Sequence, residues 1–232
     1  MLVSDLDPKL QDAIETLAGD VNSLLAQSCW QDIHNKRFKS KAKSESLSAD
    51  APERVHHVQK ACQATGLAEM CRYFKVEPDY YDWSLERRAY TLRTSVASLC
   101  KSVVFENTRC EHNNFTDPLN SKYYCVITQY IAPINTAKMV DSVRELSNNA
   151  ISKKKYNFRL TSPENSLALT GFDNNGVSPI GMKENIPIIL SKAVTELKPA
   201  IMFLGAGDVD WKIAVPIEQF IKQTHCLVMD LS

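Results

Sequence analysis

Ser102-Val103-Val104-Phe105-Glu106 and, after a polar gap from Asn107 to Ser121, Tyr123-Tyr124-Cys125-Val126-Ile127-Thr128-Gln129-Tyr130-Ile131 are the runs whose reading decides the fold. Both are short and rich in β-branched and aromatic residues, so both read as strands. A stretch with Val96, Leu99 and Cys100 at helical spacing leads into the first, and Lys101 stands at the junction. Upstream, Pro52 opens a helix through Val55, Val58, Ala61 and Cys62 that Gly66 closes. Met70 to Val76 reads as a strand stopped by Pro78, and Ser84 caps a short helix through Leu85, Ala89 and Leu92. Downstream, the pattern predicts a helix over Ala137 to Leu146, a strand around Tyr156 to Leu160, and a helix over Pro163 to Thr170 with proline in its first turn. After a turn-rich stretch from Gly171 to Gly181 come apolar runs at 186–190, 200–204 and 211–215, a helix near Ile217 to Ile221 and a last strand at Cys226 to Leu231. Strands outnumber helices and their connections are irregular. The expected fold class is therefore α/β of the α+β kind, a curved mixed β-sheet flanked by helices.

Ahead of this unit, Leu10, Ile14, Leu17, Val21, Leu24 and Leu25 form an apolar stripe at helical spacing. From Asn35 to Ala51 large apolar residues nearly vanish and Lys36, Arg37, Lys39, Lys41 and Lys43 gather, the composition of a solvated linker. The expected organisation is an amphipathic N-terminal helix in 1–34, a basic and Ser-rich linker in 35–51, and one domain over 52–232. With 232 residues, 44% hydrophobic, the chain can bury a core without disulfides or metal. Lys+Arg and Asp+Glu both number 27, so no global basic field exists and nucleic-acid binding would rest on local clusters. Seven cysteines, an odd number with no C-x-x-C pair, point to a reducing compartment. Met1 to Lys9 lacks the apolar core of a signal peptide, and no run reaches the roughly 18 apolar residues of a membrane span. A cytoplasmic address and no membrane partner are expected.

Nucleotide-binding, zinc-protease and serine-hydrolase signatures are absent from the sequence. Gly205-Ala206-Gly207 between two apolar runs has two readings, a cradle of N–H groups for an anion or a tight turn that needs φ > 0. Cys110, His112, His225 and Cys226 match no usual zinc spacing, so no metal and no cofactor are expected. Lys153-Lys154-Lys155 with Tyr156, Phe158 and Arg159 interleaves cations and aromatics. That suits an RNA backbone with stacked bases, or a charged loop entering a half-buried strand.

Three segments together, Cys100-Lys101-Ser102-Val103-Val104-Phe105, Leu169 through Gly176 to Gly181, and Gly205-Ala206-Gly207 before Asp210-Trp211-Lys212-Ile213, resemble the YbaK/prolyl-tRNA synthetase-associated family. The likeness runs in order from about Pro52 to Ser232. It implies a YbaK-like fold and an aminoacyl-tRNA deacylase, an ester hydrolase that clears mischarged tRNA. Under it Lys101 matches the family's lysine at a strand start, Asp210 its acidic residue after the small-residue turn, and Asn175-Gly176-Val177-Ser178-Pro179 its G-x-x-x-P loop. Gly205, Ala206 and Gly207 would line the substrate pocket, with Tyr80 and Tyr81 at its rim. The chain departs from the pattern at Asn175, in place of the first glycine, and at Leu204, where the bacterial relatives often carry serine. Asn tolerates a left-handed backbone best among non-glycine residues.

An aminoacyl ester is already activated, so a placed water and a stabilised oxyanion suffice for hydrolysis. Backbone amides around Gly176 would serve the oxyanion and Lys101 would anchor the RNA end electrostatically. A small amino acid, alanine first, is the expected substrate class. Lys153, Lys154, Lys155 and Arg159 are the expected tRNA contacts, and the N-terminal helix is the expected dock for an aminoacyl-tRNA synthetase or its complex. The alternative is a catalytically silent tRNA-binding module.

Overall fold

The computed structural model of the chain describes residues 9–17, 19, 47–115 and 117–232. Its eight strands form two sheets. The larger, in the order β4-β2-β3-β5-β8, is mixed: β2 (Cys100–Asn107) runs antiparallel to β3 (Tyr123–Gln129) and to β4 (Phe158–Leu160), while β5 (Ile188–Ser191) is parallel to β3 and to β8 (Leu227–Met229). The smaller is antiparallel, with β7 (Trp211–Pro216) between β1 (Arg72–Lys75) and β6 (Ile201–Gly205).

One edge of β2 joins the two. Leu99 makes a parallel bridge to Phe203 of β6 just before β2 begins, and β4 takes the same strand at Phe105–Asn107. The sheets therefore diverge along β2, which gives the mixed curvature expected from the sequence.

Helices cover the faces. On one side α1 (Glu53–Ala64) and α6 (Ile217–Thr224) bury Val55, Val58, Cys62, Ile217 and Phe220 against Met202, Leu204, Ile213 and Val215. α3 (Thr136–Leu146) seats Met139, Val140 and Val143 on Phe105, Tyr124 and Val126. The other face of β6 and β7 presents Phe203 and Ala214 to Leu99, Tyr80, and Ala89 and Leu92 from α2 (Leu85–Thr91) and its C-cap. Local chemistry sets the boundaries: Ser84 Oγ accepts from Arg87 N, Asn135 accepts from Ala137 N and Lys138 N, and Gly171 closes α4 (Pro163–Thr170) at φ 78°.

Residues 9–17 and 19 are helical, with Leu10, Ile14 and Leu17 exposed and Glu15 accepting from Ser84 Oγ at 3.3 Å. Val21, Leu24, Leu25 and the linker cations from Lys36 to Lys43 lie outside the described residues. Among the described residues no helix is long and apolar enough to cross a membrane.

Candidate active site

Strand register brings Lys101, Gly205 and Lys212 level with one another. Leu99 opposite Phe203 in a parallel bridge sets Lys101, two residues on, level with Gly205; Gly205 in turn pairs with Lys212 across β6 and β7. Paired residues share a face, so a lysine flanks the glycine on either side. Lys101 is the second residue of β2 rather than a helix-to-strand junction, because Val96–Ser98 is a single 3-10 turn. It is half-buried, its Nζ 5.8 Å from the centroid of Tyr130. Thr128, its cross-strand partner, is buried with an Oγ1 that has no hydrogen-bond partner among the described residues.

A narrow cleft opens on this face, lined by Tyr80, Tyr81, Tyr130, Phe203, Gly205 and Lys212 among others, with room for about one water. Tyr80 and Tyr81 sit in a 3-10 turn whose corner also packs Trp83 on Tyr80. Arg88 reaches over Tyr80, Tyr81 and Tyr130 and donates to the carbonyls of Tyr81 and Trp83. Burial pushes all three phenols above their ordinary range, so they stay neutral.

The loop Asn175–Pro179 rests on Gly205. Asn175 adopts φ +65°, the left-handed conformation the glycine it replaces would supply, and its carbonyl accepts from Tyr81 OH at 2.6 Å. Gly176 donates to Asp173 O, and its own carbonyl accepts from Gly207 N at 2.9 Å. In a trans peptide the carbonyl and the next N–H point opposite ways, so anchoring Gly176 O fixes the direction of Val177 N–H. The N–H groups of Val177 and Ser178 donate to no group among the described residues. A Cβ on Gly205 would sit 2.6 Å from Val177 O and 3.0 Å from Gly176 O. The glycine is therefore a condition of the loop's approach.

The cradle reading of Gly205-Ala206-Gly207 is corrected for two of its members. Ala206 N donates to Trp211 O and Gly207 N to Gly176 O, so those amides are used inside the protein; Gly207, at φ +94°, is a turn glycine. Leu204 is buried in the core behind β6 while also bordering the cleft. Asp210 caps the β6–β7 turn, its N–H bonded to Asp208 Oδ1 and its carbonyl accepting from Val76 N.

Sequence reasoning missed Lys212, Arg88 and Tyr130. The signal for Lys212 was a lysine inside the apolar run Trp211 to Val215. Only 4% exposed, its Nζ donates to Val209 O at 2.6 Å and lies over the rings of Tyr81 (4.6 Å) and Tyr80 (5.2 Å). Burial pulls its pKa down from 10.5 to about 8, against the opposing pull of Asp210 and Asp208, with Arg88 adding to the depression. The sign of the stability effect follows. Between about pH 8 and 10.5 the unfolded chain holds this proton and the folded chain does not, so stability rises with pH across that window. At about 1.4 kcal/mol per pH unit, less the cost of leaving Val209 O unbonded, Lys212→Met stabilises the fold at pH 7 by roughly 2 kcal/mol. The gain shrinks above pH 8, and urea titrations at pH 7 and pH 9.5 measure it.

Elsewhere the expected stacking platform is corrected. Tyr156 and Phe158 are buried, Phe158 edge-on to Tyr124 at 5.5 Å, and offer no face to a base. Lys153–Lys155 form an exposed 3-10 turn in which Lys153 pairs with Asp141 at 2.7 Å and Lys155 with Glu111; Arg159 is exposed on the edge strand β4. Cys110 Sγ lies 3.6 Å from His112 Nδ1, yet no group of three metal-ligating residues exists among the described residues.

No family model matches the chain, and neither does any curated protein. Solved structures do. One, a protein provisionally described as a trans-editing enzyme for prolyl tRNA synthetase, superposes with a TM-score of 0.61 at 18% identity, over 81% of this chain and 99% of its own. The likeness is one of fold. A computationally designed scaffold for grafted linear epitopes gives 0.60 at 15% identity, over 78% and 98% of the two chains. A hypothetical protein gives 0.57 at 18%, over 75% and 98%. Nearly the whole length of each neighbour is matched, so the mixed α/β architecture of the described domain is that of the trans-editing neighbour.

Proposed function

We propose that the chain hydrolyses the ester of mischarged aminoacyl-tRNA, clearing a small amino acid, alanine first, in support of translation fidelity. The observation that carries this reading is the row Lys101, Gly205, Lys212 beneath the tied Asn175–Pro179 loop, whose Gly176 and Val177 carbonyls lie against Gly205. An oxyanion needs donors that are already oriented before charge develops, and the tied loop keeps its Val177 and Ser178 N–H groups unspent for one. Lys101, with the orphaned Thr128 hydroxyl beside it, is suited to hold the oxygens of the RNA end as a compact cation. Asp210 and Asp208 offset part of the positive charge on the neighbouring lysine. The fold likeness to the trans-editing neighbour adds weight to a hydrolase of this class.

The test is single-turnover deacylation of tRNAs charged with glycine, alanine, serine, cysteine, threonine and proline, followed as loss of the ester. Hydrolysis fastest for alanyl-tRNA is the expected result. One observation favours the second reading, a silent tRNA-binding module: the cleft has room for about one water, and Tyr81 of its lining is tied to Asn175 O. Retained binding with no turnover of any ester would select it. A synthetase as the partner of the N-terminal helix belongs to the same proposal, and deletion of 1–50 with loss of co-purification but unchanged turnover is its expected signature.

The basic turn enters as a prediction about salt. Two of its lysines already carry surface ion pairs, which are worth about 0–1 kcal/mol and exchange readily for phosphate. Replacing Lys153, Lys154 and Lys155 by glutamine lowers tRNA affinity and flattens the slope of log K against log salt by about 2–3, since each lost phosphate contact contributes about 0.7–0.9. A filter-binding series from 50 to 200 mM salt reads this, and an unchanged slope moves the RNA contact elsewhere.

A further inference from the structure

Lys212 is a buried ammonium that the scheme above leaves without a chemical task. Val209 O takes one of its hydrogens at 2.6 Å and Trp211 O lies 3.4 Å away for a second. One position on the nitrogen remains, an N–H in the charged form and a lone pair in the neutral one. Lys212 lines a space of about one water together with Tyr80, Tyr81, Tyr130 and Gly205, and Gly205 is where the Val177 and Gly176 carbonyls come down onto the sheet. A water-sized space and a basic side chain thus meet at one point. This inference rests on the deacylase reading and adds to it a group that handles the proton.

We propose that Lys212 seats the hydrolytic water in this space and accepts its proton as the water attacks the ester. The water O–H bond breaks as its oxygen bonds to the carbonyl carbon, and the proton passes to Nζ. The negative charge moves to the carbonyl oxygen of the ester. As the tetrahedral centre collapses, the bond to the ribose oxygen breaks and that oxygen takes the proton back from Nζ. Amino acid and free tRNA end leave, and Lys212 returns to its starting form. A buried lysine is suited to this because burial disfavours its charged form. The groups facing it are Asp208 and Asp210 from the turn before β7, Arg88 from α2, and the neutral phenols of Tyr80 and Tyr81.

The experiment is the pH dependence, from 6 to 9.5, of single-turnover hydrolysis of whichever ester in the panel the full chain cleaves fastest, with solvent hydrolysis in the same buffers subtracted. The wild-type rate should rise through a one-proton step near pH 8 and then level. Lys212→Met, which the burial predicts to fold at least as stably, should be at least thirtyfold slower at pH 8.5 and lack the step. Lys212→Ala should regain turnover with added ethylamine in proportion to its unprotonated fraction. Lys101→Ala should lose rate at every pH yet keep the step in its residual activity, which separates anchoring from proton transfer. A Lys212→Met enzyme within threefold of wild type, or one slowed equally at all pH values with the step intact, overturns the role given to Lys212 while leaving the deacylase reading in place. A wild-type chain that binds tRNA and hydrolyses no ester overturns both.

Discussion

Gly205→Ala should abolish turnover and lower the melting midpoint together. The new methyl carbon would stand 2.6 Å from Val177 O and 3.0 Å from Gly176 O, and these are backbone atoms held in place by the Gly176 O to Gly207 N bond. No side chain is available to swing aside. Overpacking of this kind costs about 1–3 kcal/mol, which at about 2–4 °C per kcal/mol for a domain of this size lowers the midpoint by roughly 2–12 °C. The remaining escape is to lift the loop, which breaks the Gly176 O to Gly207 N bond and displaces the backbone beside the cleft. A misplacement of about 1 Å at a reacting site costs about 10²-fold in rate. Calorimetry and single-turnover kinetics on the same sample check both halves, and an alanine variant with wild-type melting would mean that the loop does not rest on β6.

Lys101→Ala should have the opposite profile, a large kinetic loss on an intact fold. Lys101 is half-buried at the start of β2 and makes no ion pair among the described residues, so its truncation falls in the range of ordinary surface changes, within about 0.5 kcal/mol. Losing the cation that holds the RNA end removes an interaction of the kind worth about 10²-fold or more in rate. Lys101→Arg should restore little, because a planar fork does not replace a compact ammonium beside the Tyr130 ring. Wild-type turnover by the alanine variant would remove Lys101 from the mechanism, and a drop in melting midpoint would make it a structural residue.

The elements were legible where local chemistry sets them. Ser84, Pro163 and Gly171 mark helix ends through caps that depend on neighbours a few residues away, and the two helices they bound, α2 and α4, begin and end within a residue or two of the expected positions, whereas the helix expected near Ile217 to Ile221 runs on to Thr224. The strand at 102–106 and its antiparallel partner from Tyr123 were visible as β-branched runs. What the string did not reveal is non-local. Lys212, Arg88 and Tyr130 meet only because β7, α2 and the end of β3 converge on one cleft, bringing together residues more than 40 positions apart in sequence. The aromatics after Lys155 misled for a related reason, since alternation alone does not say which face of β4 is covered by Tyr124. Two sheets sharing the edge of β2, instead of one continuous surface, follow from a bridge at Leu99 and Phe203 that no local pattern announces.

The most direct measurement is single-turnover incubation of the full chain, in excess, with alanyl-tRNA at pH 8, following the ester and the bound tRNA in the same reaction. First-order loss of the ester well above the solvent rate, slowed about 10²-fold or more by Lys101→Ala, is the predicted result. Saturated tRNA binding with the ester decaying only at the solvent rate would contradict it.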